Sequence, residues 1–403
     1  MIGLLIGIVL GVIMGTVSGL IPGVHANTMA GVLLGLQAGV LSRVGSEVLA
    51  AALFAALITH TFLDIIPSTF LGVPNPDTAV SVLPAHALCL EGKGEEAVRI
   101  AALGSAAAAV IAIPLSVALF WFIPLLQPYF DWWIGILIIF VAGYLIVTGE
   151  SPAWALAVFL VSGVLGLFTL RFAYVSWHTL GGSGVLMPLL AGLFGISVLL
   201  FASSGPVPEQ RFSGIQMEGS AIRKGAILGT VAGTVVGWLP GLSNATANAV
   251  LASTIGYDRD RRGYILATSA ANTANAIIGI AVLYAIARMR NGAMVAMAAI
   301  EPPPLPAMLA VGGIAACLAF LLTIRLSSSA RLLNGIDSRQ LNLGVIGFII
   351  LLSFIISGPF GLFILLLAFL IGIVPPMVNI PRVYCMGAIM LPVLCYSFGI
   401  AVV

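Results

Sequence analysis

Long apolar runs follow one another along almost the whole chain of 403 residues, separated by short polar or Pro/Gly-containing stretches. A membrane-spanning helix needs roughly 20 apolar residues. The runs lie near 2–21, 24–41, 46–66, 97–125, 132–149, 152–170, 184–203, 222–238, 241–256, 263–287, 305–324, 341–357, 359–378 and 383–402. Some are short or broken by Gly and Pro, so re-entrant segments are allowed for. The pattern predicts an all-α polytopic membrane protein with about 10 to 14 membrane segments.

Charged residues are too scarce to cover a water-facing surface. They make up 7% of the chain, against about 25% in soluble proteins, so a water-soluble protein is excluded. The 16 Lys and Arg against 14 Asp and Glu leave a net charge of +2, which provides no basic stripe for nucleic acid. The first apolar run begins at Ile2 without the basic residues of a signal peptide, and we expect it to be retained. The expected location is the cell membrane, in contact with the lipid bilayer.

The sequence lacks the common motifs of disulfide frameworks, zinc sites and enzyme active sites. The four cysteines lie in apolar runs without a CxxC pair, which favours neither a disulfide framework nor a zinc site. The chain contains no HExxH, GxSxG or Walker motif, so it is not expected to be an enzyme or to hydrolyse ATP. No cofactor is expected.

One motif occurs twice in the same register. The first copy is Gly11, Gly15, Thr16, Gly19, Pro22, Gly23 and Thr28, and the second is Gly229, Gly233, Thr234, Gly237, Pro240, Gly241 and Thr246. The duplication predicts two homologous repeats, 1–203 and 222–403, joined by a polar linker at 204–221. Duplicated polytopic proteins are commonly secondary transporters whose substrate lies near the midplane between the repeats.

The distribution of basic residues favours an inverted arrangement of the repeats. The loop 42–47 has one Arg and its counterpart 257–263 has three, while 127–131 has none and 325–339 has three. By the positive-inside rule the basic member of each pair is cytoplasmic.

The Pro-Gly pairs predict broken helices that bind a ligand. Proline has no N–H, so a Pro-Gly in mid-membrane leaves unpaired backbone groups that need protein, a cavity or a ligand. Free N–H groups beside hydroxyls and amides form an anion site. The predicted substrate-binding residues are Pro22, Gly23, His25, Asn27 and Thr28 in the first copy, Pro240, Gly241, Ser243, Asn244 and Thr246 in the second, and Asn272 and Asn275 further on. The alternative is that the Pro-Gly pairs are simple kinks; the glycines before them are expected to be close helix contacts.

A second polar cluster, one apolar segment later, points to a coupling cation. A carboxylate inside a membrane segment is a functional hypothesis by default. Asp64, with His60 and Thr61, is the predicted coupling-ion site, either as a Na⁺ ligand or as a proton carrier. The alternatives are that Asp64 caps a helix before Pro67 and that the histidine is only hydrogen-bonded in a polar pocket.

Other charges are interpreted as structural. We expect Glu91, Lys93, Glu95, Glu96 and Arg99 to form a solvated rim. Arg288 and Arg290 have two open interpretations: they lie at the membrane interface, or they reach an anionic substrate.

At these residues the sequence resembles the large membrane subunit of the tripartite tricarboxylate transporters, the TctA family. The resemblance depends on three pieces: the block from Gly15 to Thr28; Gly72-Val73-Pro74 followed by Thr78 and Gly92-Lys93-Gly94; and the block from Gly237 to Thr246 followed by Asn272 and Asn275. It implies a cation-coupled permease for di- or tricarboxylates, working with a small membrane subunit and an extracytoplasmic solute-binding protein. The sequence is also compatible with a homo-oligomer.

This chain departs from the family pattern in two places, which identifies it as a compact, divergent branch. Pro74-Asn75-Pro76 stands where the family has Pro-Gly, and the corresponding motif of the second half is reduced to residues 287–292. The alternative function is a polyprenyl-phosphate translocase, which would use the same helix N-termini for a phosphate. A third class, an assembly protein, is disfavoured because it does not need polar residues beside paired helix breaks.

Overall fold

A computed structural model describes residues 2–21, 45–71, 82–177, 185–201, 209–239, 244–251, 254–255, 260–329 and 337–400. In chain order the helices are α1 Ile2–Leu20, α2 Ser46–Leu63, α3 Ile65–Leu71, α4 Val82–Leu90, α5 Gly94–Val147, α6 Pro152–Arg171, α7 Leu186–Leu190, α8 Ser197–Phe201, α9 Gly219–Trp238, α10 Asn244–Leu251, α11 Arg261–Ile286, α12 Gly292–Ala298, α13 Leu305–Ser327, α14 Ser338–Gly372, α15 Val374–Met377 and α16 Gly387–Ser397. A π-helical turn, Ala191–Ile196, joins α7 to α8.

Within these ranges, seven helical stretches are long and apolar enough to cross a membrane. They are Ile2–Leu20, Ser46–Phe70, Gly94–Tyr129, Pro152–Arg171, Arg261–Ile286, Leu305–Ser327 and Ile346–Met377. The prediction of an all-α polytopic membrane protein is confirmed.

Helices α1 and α2 pack closely and run parallel through a stripe of glycines. A Cβ atom at Gly11 would lie 2.4 Å from the carbonyl oxygen of Ala52, and one at Gly15 would lie 2.5 Å from that of Ala56. Contacts this short exclude any side chain larger than hydrogen, because the neighbour is backbone. The two glycine positions advance along α1 as their partners advance along α2, so both helices start at the same end of the pair.

Helices α9 and α11 repeat this packing in the second half. A Cβ atom at Gly229 would lie 2.2 Å from the carbonyl oxygen of Ala267, and one at Gly233 would lie 2.3 Å from that of Ala271. In the duplicated motif, Gly229 and Gly233 are the equivalents of Gly11 and Gly15. The prediction that they are close helix contacts is confirmed in both copies.

Each glycine-packed pair receives its third helix from the other half of the chain. Helix α5 lies along α11, where Gly104 meets the Leu266 backbone and the Ser105 hydroxyl donates to the Ser269 carbonyl over 3.3 Å. Helix α13 lies along α2, where Gly312 contacts the Phe54 ring. The chain is therefore folded into two exchanged three-helix bodies, α1–α2–α13 and α9–α11–α5.

The two bodies run in opposite directions. Helix α5 is parallel to α11, because Glu96 at the start of α5 binds Arg262 at the start of α11 and Gly104, later in α5, contacts Leu266. Helix α13 is parallel to α2, because Gly312 contacts Phe54 and Thr323, later in α13, contacts Phe62. Helices α5 and α13 are antiparallel: Arg99, near the start of α5, donates to Ser327 at the end of α13. It follows that α1 and α2 run opposite to α9 and α11.

A second apolar cluster forms around α6, α14, α16 and the end of α5. Glycines again allow close contact, since a Cβ atom at Gly166 of α6 would lie 1.9 Å from the Ala388 carbonyl oxygen of α16. Helix α14 is kinked at Gly358, which has φ +65° and is followed by Pro359. This cluster lies beside the two bodies.

The part of the linker that the structure describes, residues 209–218, is packed onto the start of α5. The Gln210 amide accepts from the Gly94 N–H over 2.8 Å and donates to the Cys89 carbonyl over 2.9 Å. The Arg211 N–H donates to the Gly92 carbonyl over 2.9 Å. The polar residues of this segment therefore fix it to the first half of the chain.

The predicted solvated rim is wrong for Glu95 and Glu96, which are only 3% and 2% exposed. Arg99 binds Glu95 over 2.7 Å, and Arg262 of α11 binds both carboxylate oxygens of Glu96. Arg99 also stacks on the Phe212 ring of the linker, 4.2 Å from its centroid. Glu95 and Glu96 are buried because the linker and α11 cover them.

Candidate substrate and ion site

The two central helices, α2 and α11, carry a group of buried polar residues. All of the most apolar window of α2 is buried, and 94% of that of α11, so hydroxyl and amide groups here face protein. They are Thr59, His60, Thr61 and Asp64 at the end of α2, and Thr268, Ser269, Asn272 and Thr273 in α11. Helix α11 spans 26 residues, about 39 Å, and Asn272 and Thr273 lie near its middle.

Two hydrogen bonds join polar groups from the two halves of the chain where α2 meets α11. The Asn272 Nδ2 donates to Asp64 Oδ2 over 2.9 Å. The Thr61 and Thr273 hydroxyl oxygens lie 3.0 Å apart; since Thr61 itself donates to a carbonyl of its own helix, Thr273 is the donor between them. Residues more than 200 positions apart in the chain thus form one polar cluster.

Asp64 lies at the junction between α2 and α3. Its backbone N–H donates to the His60 carbonyl over 3.0 Å and so ends α2, which agrees with the capping interpretation for the backbone. The side chain has a different role, because its carboxylate accepts a hydrogen bond from Asn272 in the other half of the chain. His60 is also buried, and its Nδ1 lies 3.1 Å from the Ser18 hydroxyl of α1.

Helices α1 and α9 end at equivalent positions, each just before its Pro-Gly pair. The last helical hydrogen bond of α1 runs from Ile21 to Val17 over 3.1 Å, and that of α9 from Leu239 to Val235 over 2.9 Å. The next residue in each copy is a proline, which has no N–H to continue the ladder. A Cβ atom at Gly237, near the end of α9, would lie 3.1 Å from the Asn275 carbonyl oxygen. Each helix therefore ends beside the central polar cluster.

Arg290 compensates for the missing donor of the second break. Pro240 would have supplied the N–H for the Val236 carbonyl, four residues earlier, and Arg290 donates to that carbonyl over 2.6 Å instead. Burial, together with the nearby charge of Arg288, lowers the pKa of Arg290 to about 10. The guanidinium therefore stays protonated at neutral pH. Arg290 thus lies beside the end of α9.

Helix α10 brings a second side-chain amide into the cluster. The Asn244 Nδ2 donates to Asn272 Oδ1 over 2.9 Å, and Asn244 is the first residue of α10. The first N–H groups of a helix have no acceptor within it. The first backbone N–H groups of α10 thus lie next to the chain of amides that leads to Asp64.

The structure brings together six of the predicted site residues and leaves the others open. His60, Thr61, Asp64, Asn244 and Asn272 form the cluster, and Asn275 lies half-buried beside the end of α9. Thr246 lies in α10. Pro22, Gly23, His25, Asn27, Thr28, Pro240, Gly241 and Ser243 lie outside the described residues, and the predictions for them stay predictions.

Sequence reasoning missed two members of the neighbourhood. Ser18 was hidden among the packing glycines of α1, and its contact with His60 has no signal in local spacing. The capping role of Arg290 had an indirect signal, because a proline in a broken helix leaves a carbonyl that needs a donor.

Comparison with known proteins places the chain in a family. The model of the family described as "Tripartite tricarboxylate transporter TctA family" matches residues 5–387. An uncharacterized protein of Methanocaldococcus jannaschii is 29% identical over 248 residues, which cover 59% of this chain and 58% of that relative. The chain thus matches a little over half the length of this curated relative. No solved structure matches. Because the family match covers nearly the whole chain, the protein belongs to the TctA family of tripartite tricarboxylate transporters.

Proposed function

We propose that this protein is the permease subunit of a cation-coupled transporter for a small organic anion of the di- or tricarboxylate class. The observation that carries the proposal is the polar cluster in which Asp64 of one repeat accepts from Asn272 of the other, beside the ends of two equivalent broken helices. A buried carboxylate next to helix N-terminal N–H groups provides separate places for a cation and an anion. Membership of a transporter family supports the same conclusion.

The opposite directions of the two glycine-packed pairs support an inverted repeat. In such folds the substrate lies where the repeats meet, near the membrane midplane. Here the meeting point is the α2–α11 contact at Thr61 and Thr273. Alternating access would then move the exchanged bodies α1–α2–α13 and α9–α11–α5 against each other around that contact.

Basic residues support an orientation. Arg262 at the start of α11 and Arg99 near the start of α5 lie at the same end of the molecule as Ser327, where α13 ends. The positive-inside rule assigns this end to the cytoplasm. The opposite end would face the extracytoplasmic solute-binding protein, and the small membrane subunit would complete the tripartite assembly that the family description implies.

Asp64 is the proposed coupling-ion residue, with His60 and Thr61 beside it. Neutralising a buried carboxylate with Na⁺ or a proton reduces its repulsion of a nearby substrate anion. Cation and anion binding at neighbouring positions then become cooperative, which is the requirement for symport.

Ligand-induced thermal stabilisation of the purified protein tests the proposal. Binding to the native state raises the apparent stability by mass action. We expect a di- or tricarboxylate to raise the melting temperature, with a larger effect in Na⁺ or at acid pH than in its absence. Asp64→Asn should remove the cation effect. The matched control is Asp337→Asn, at an exposed helix cap far along the chain, which should behave like the wild type.

The same panel includes a polyprenyl phosphate and the double substitution of Pro240-Gly241 by Ala-Ala. Stabilisation by the lipid phosphate alone would replace the carboxylate proposal with the translocase alternative. Unchanged carboxylate affinity after the Ala-Ala substitution would rule out the second helix break as the anion site.

A further inference from the structure

Asp64, Asn272 and Asn244 form a hydrogen-bonded chain whose direction is set at one end. Each link is 2.9 Å long, from Asn244 Nδ2 to Asn272 Oδ1 and from Asn272 Nδ2 to Asp64 Oδ2. All three residues are buried, with 2%, 4% and 4% exposure for Asn244, Asn272 and Asp64. The chain therefore belongs to the interior of the site and not to its rim.

The carboxylate decides which way both amides point. An ionised carboxylate only accepts hydrogen bonds, so Asn272 must turn its NH₂ toward Asp64 and its oxygen toward Asn244. The Asn244 NH₂ must then serve Asn272. What remains at the far end of the chain is an oxygen acceptor, Asn244 Oδ1.

This acceptor has no hydrogen-bond partner, although it is fully enclosed. A buried polar atom without a partner is costly, and a ligand or an ordered water that binds it removes that cost. Asn244 Oδ1 lies at the first turn of the eight-residue α10, where free N–H groups and the helix dipole favour negative charge.

We propose that Asn244 Oδ1 accepts the hydroxyl of a hydroxycarboxylate, whose carboxylate binds the N–H groups at the start of α10. This inference rests on the proposed function and specifies its substrate class. A bare carboxylate oxygen next to Asn244 Oδ1 would place two acceptors together. A hydroxyl carried on the same molecule as a carboxylate satisfies both parts of the site.

A cation is a poorer occupant of this position. The positive end of α10 repels it, and the nearest amide oxygen of the chain, Asn272 Oδ1, already accepts from Asn244. The hydroxyl donor is therefore favoured over a metal ion as the partner of Asn244.

Two pairs of acids that differ by one hydroxyl test the inference: malate against succinate, and citrate against tricarballylate. Binding is measured by titration calorimetry on the purified full chain at fixed Na⁺ and pH. We expect the hydroxylated member of at least one pair to bind about tenfold or more tightly than its partner, because a site built for a hydroxyl penalises its loss. Asn244→Ala should bring that ratio close to one, mainly by weakening the hydroxylated acid.

Two further variants keep the test decisive. Asn379→Gly, at an exposed position with φ +54°, is the control and should keep the wild-type ratio. Asp64→Asn removes the group that orients both amides and should lower the ratio, which tests the inference even if Asn244→Ala fails to fold.

The outcomes separate this inference from the proposed function. Binding of carboxylates with no hydroxyl preference would overturn only the role of Asn244. A Na⁺ dependence that Asn244→Ala abolishes while the acid ratio persists would reassign Oδ1 to a cation and overturn it too. If none of the four acids binds, the proposed carboxylate function itself fails.

Discussion

Removing the Asn272 amide breaks both links of the chain that joins the two repeats, which makes Asn272→Ala the most informative stability test. The Asp64 carboxylate loses a charge-assisted donor, worth about 1.5–3 kcal/mol, and Asn244 loses its acceptor, worth about 1 kcal/mol. The distances of 2.9 Å and the burial of all three residues place these bonds at full strength. We expect a loss of about 3 kcal/mol in the free energy of unfolding.

The assay is reversible unfolding in mixed detergent micelles, followed by helix content. A double-mutant cycle with Asp64→Ala isolates the Asp64–Asn272 bond, because contacts unique to each residue cancel. The coupling energy should be about 2 kcal/mol. Thr273→Val, which removes one hydroxyl bond to Thr61, is the comparison and should cost about 1 kcal/mol. A coupling energy near zero, or an equal loss of stability in Asn272→Ala and Thr273→Val, would refute the reasoning.

Two other substitutions follow from the packing and from the second helix break. Gly229→Val should abolish the folded protein in detergent, because its Cβ would lie 2.2 Å from a backbone oxygen, whereas Gly143→Val, with no atom within 4 Å, should keep the monodisperse elution profile. Equal yields of both proteins would contradict the close packing of α9 and α11. Arg290→Ala should cost about 1.5–3 kcal/mol and speed hydrogen exchange at the end of α9, because the Val236 carbonyl loses its donor; the exposed Arg211→Ala is the control, and equal exchange in the two variants would remove the capping role.

Much of the candidate site was predictable because its chemistry is local. Proline ends a helix wherever it stands, so the ends of α1 and α9 before Pro22 and Pro240 follow from covalent structure. Repeated glycines on one helix face predict a close neighbour, and the α1–α2 and α9–α11 contacts agree. A carboxylate in an apolar run was a sound candidate for the interior for the same reason.

The partners of these residues were not predictable. Nothing in the spacing of Asp64, Asn272 and Asn244 shows that they meet, since Asp64 and Asn272 lie 208 positions apart and their contact depends on how two helices cross. The buried state of Glu96 was missed because its partner, Arg262, comes from the second half of the chain. Charge pattern alone describes such a segment as solvated.

The sequence by itself determined that this protein lies in lipid, and where its helices pack closely and end. A chain with so few charged residues must be surrounded by lipid, and apolar runs of this length form membrane-spanning helices. The duplicated Gly and Pro positions require two similar helix pairs with broken ends. Only the tertiary structure decided which helices meet. Helix α5 of the first half packs on α11, and α13 of the second half packs on α2. The pairs α1–α2 and α9–α11 run in opposite directions, and Asn244 Oδ1 has no hydrogen-bond partner. These features depend on contacts between segments far apart in the chain, and such contacts are set by the packing of whole helix surfaces rather than by any local pattern.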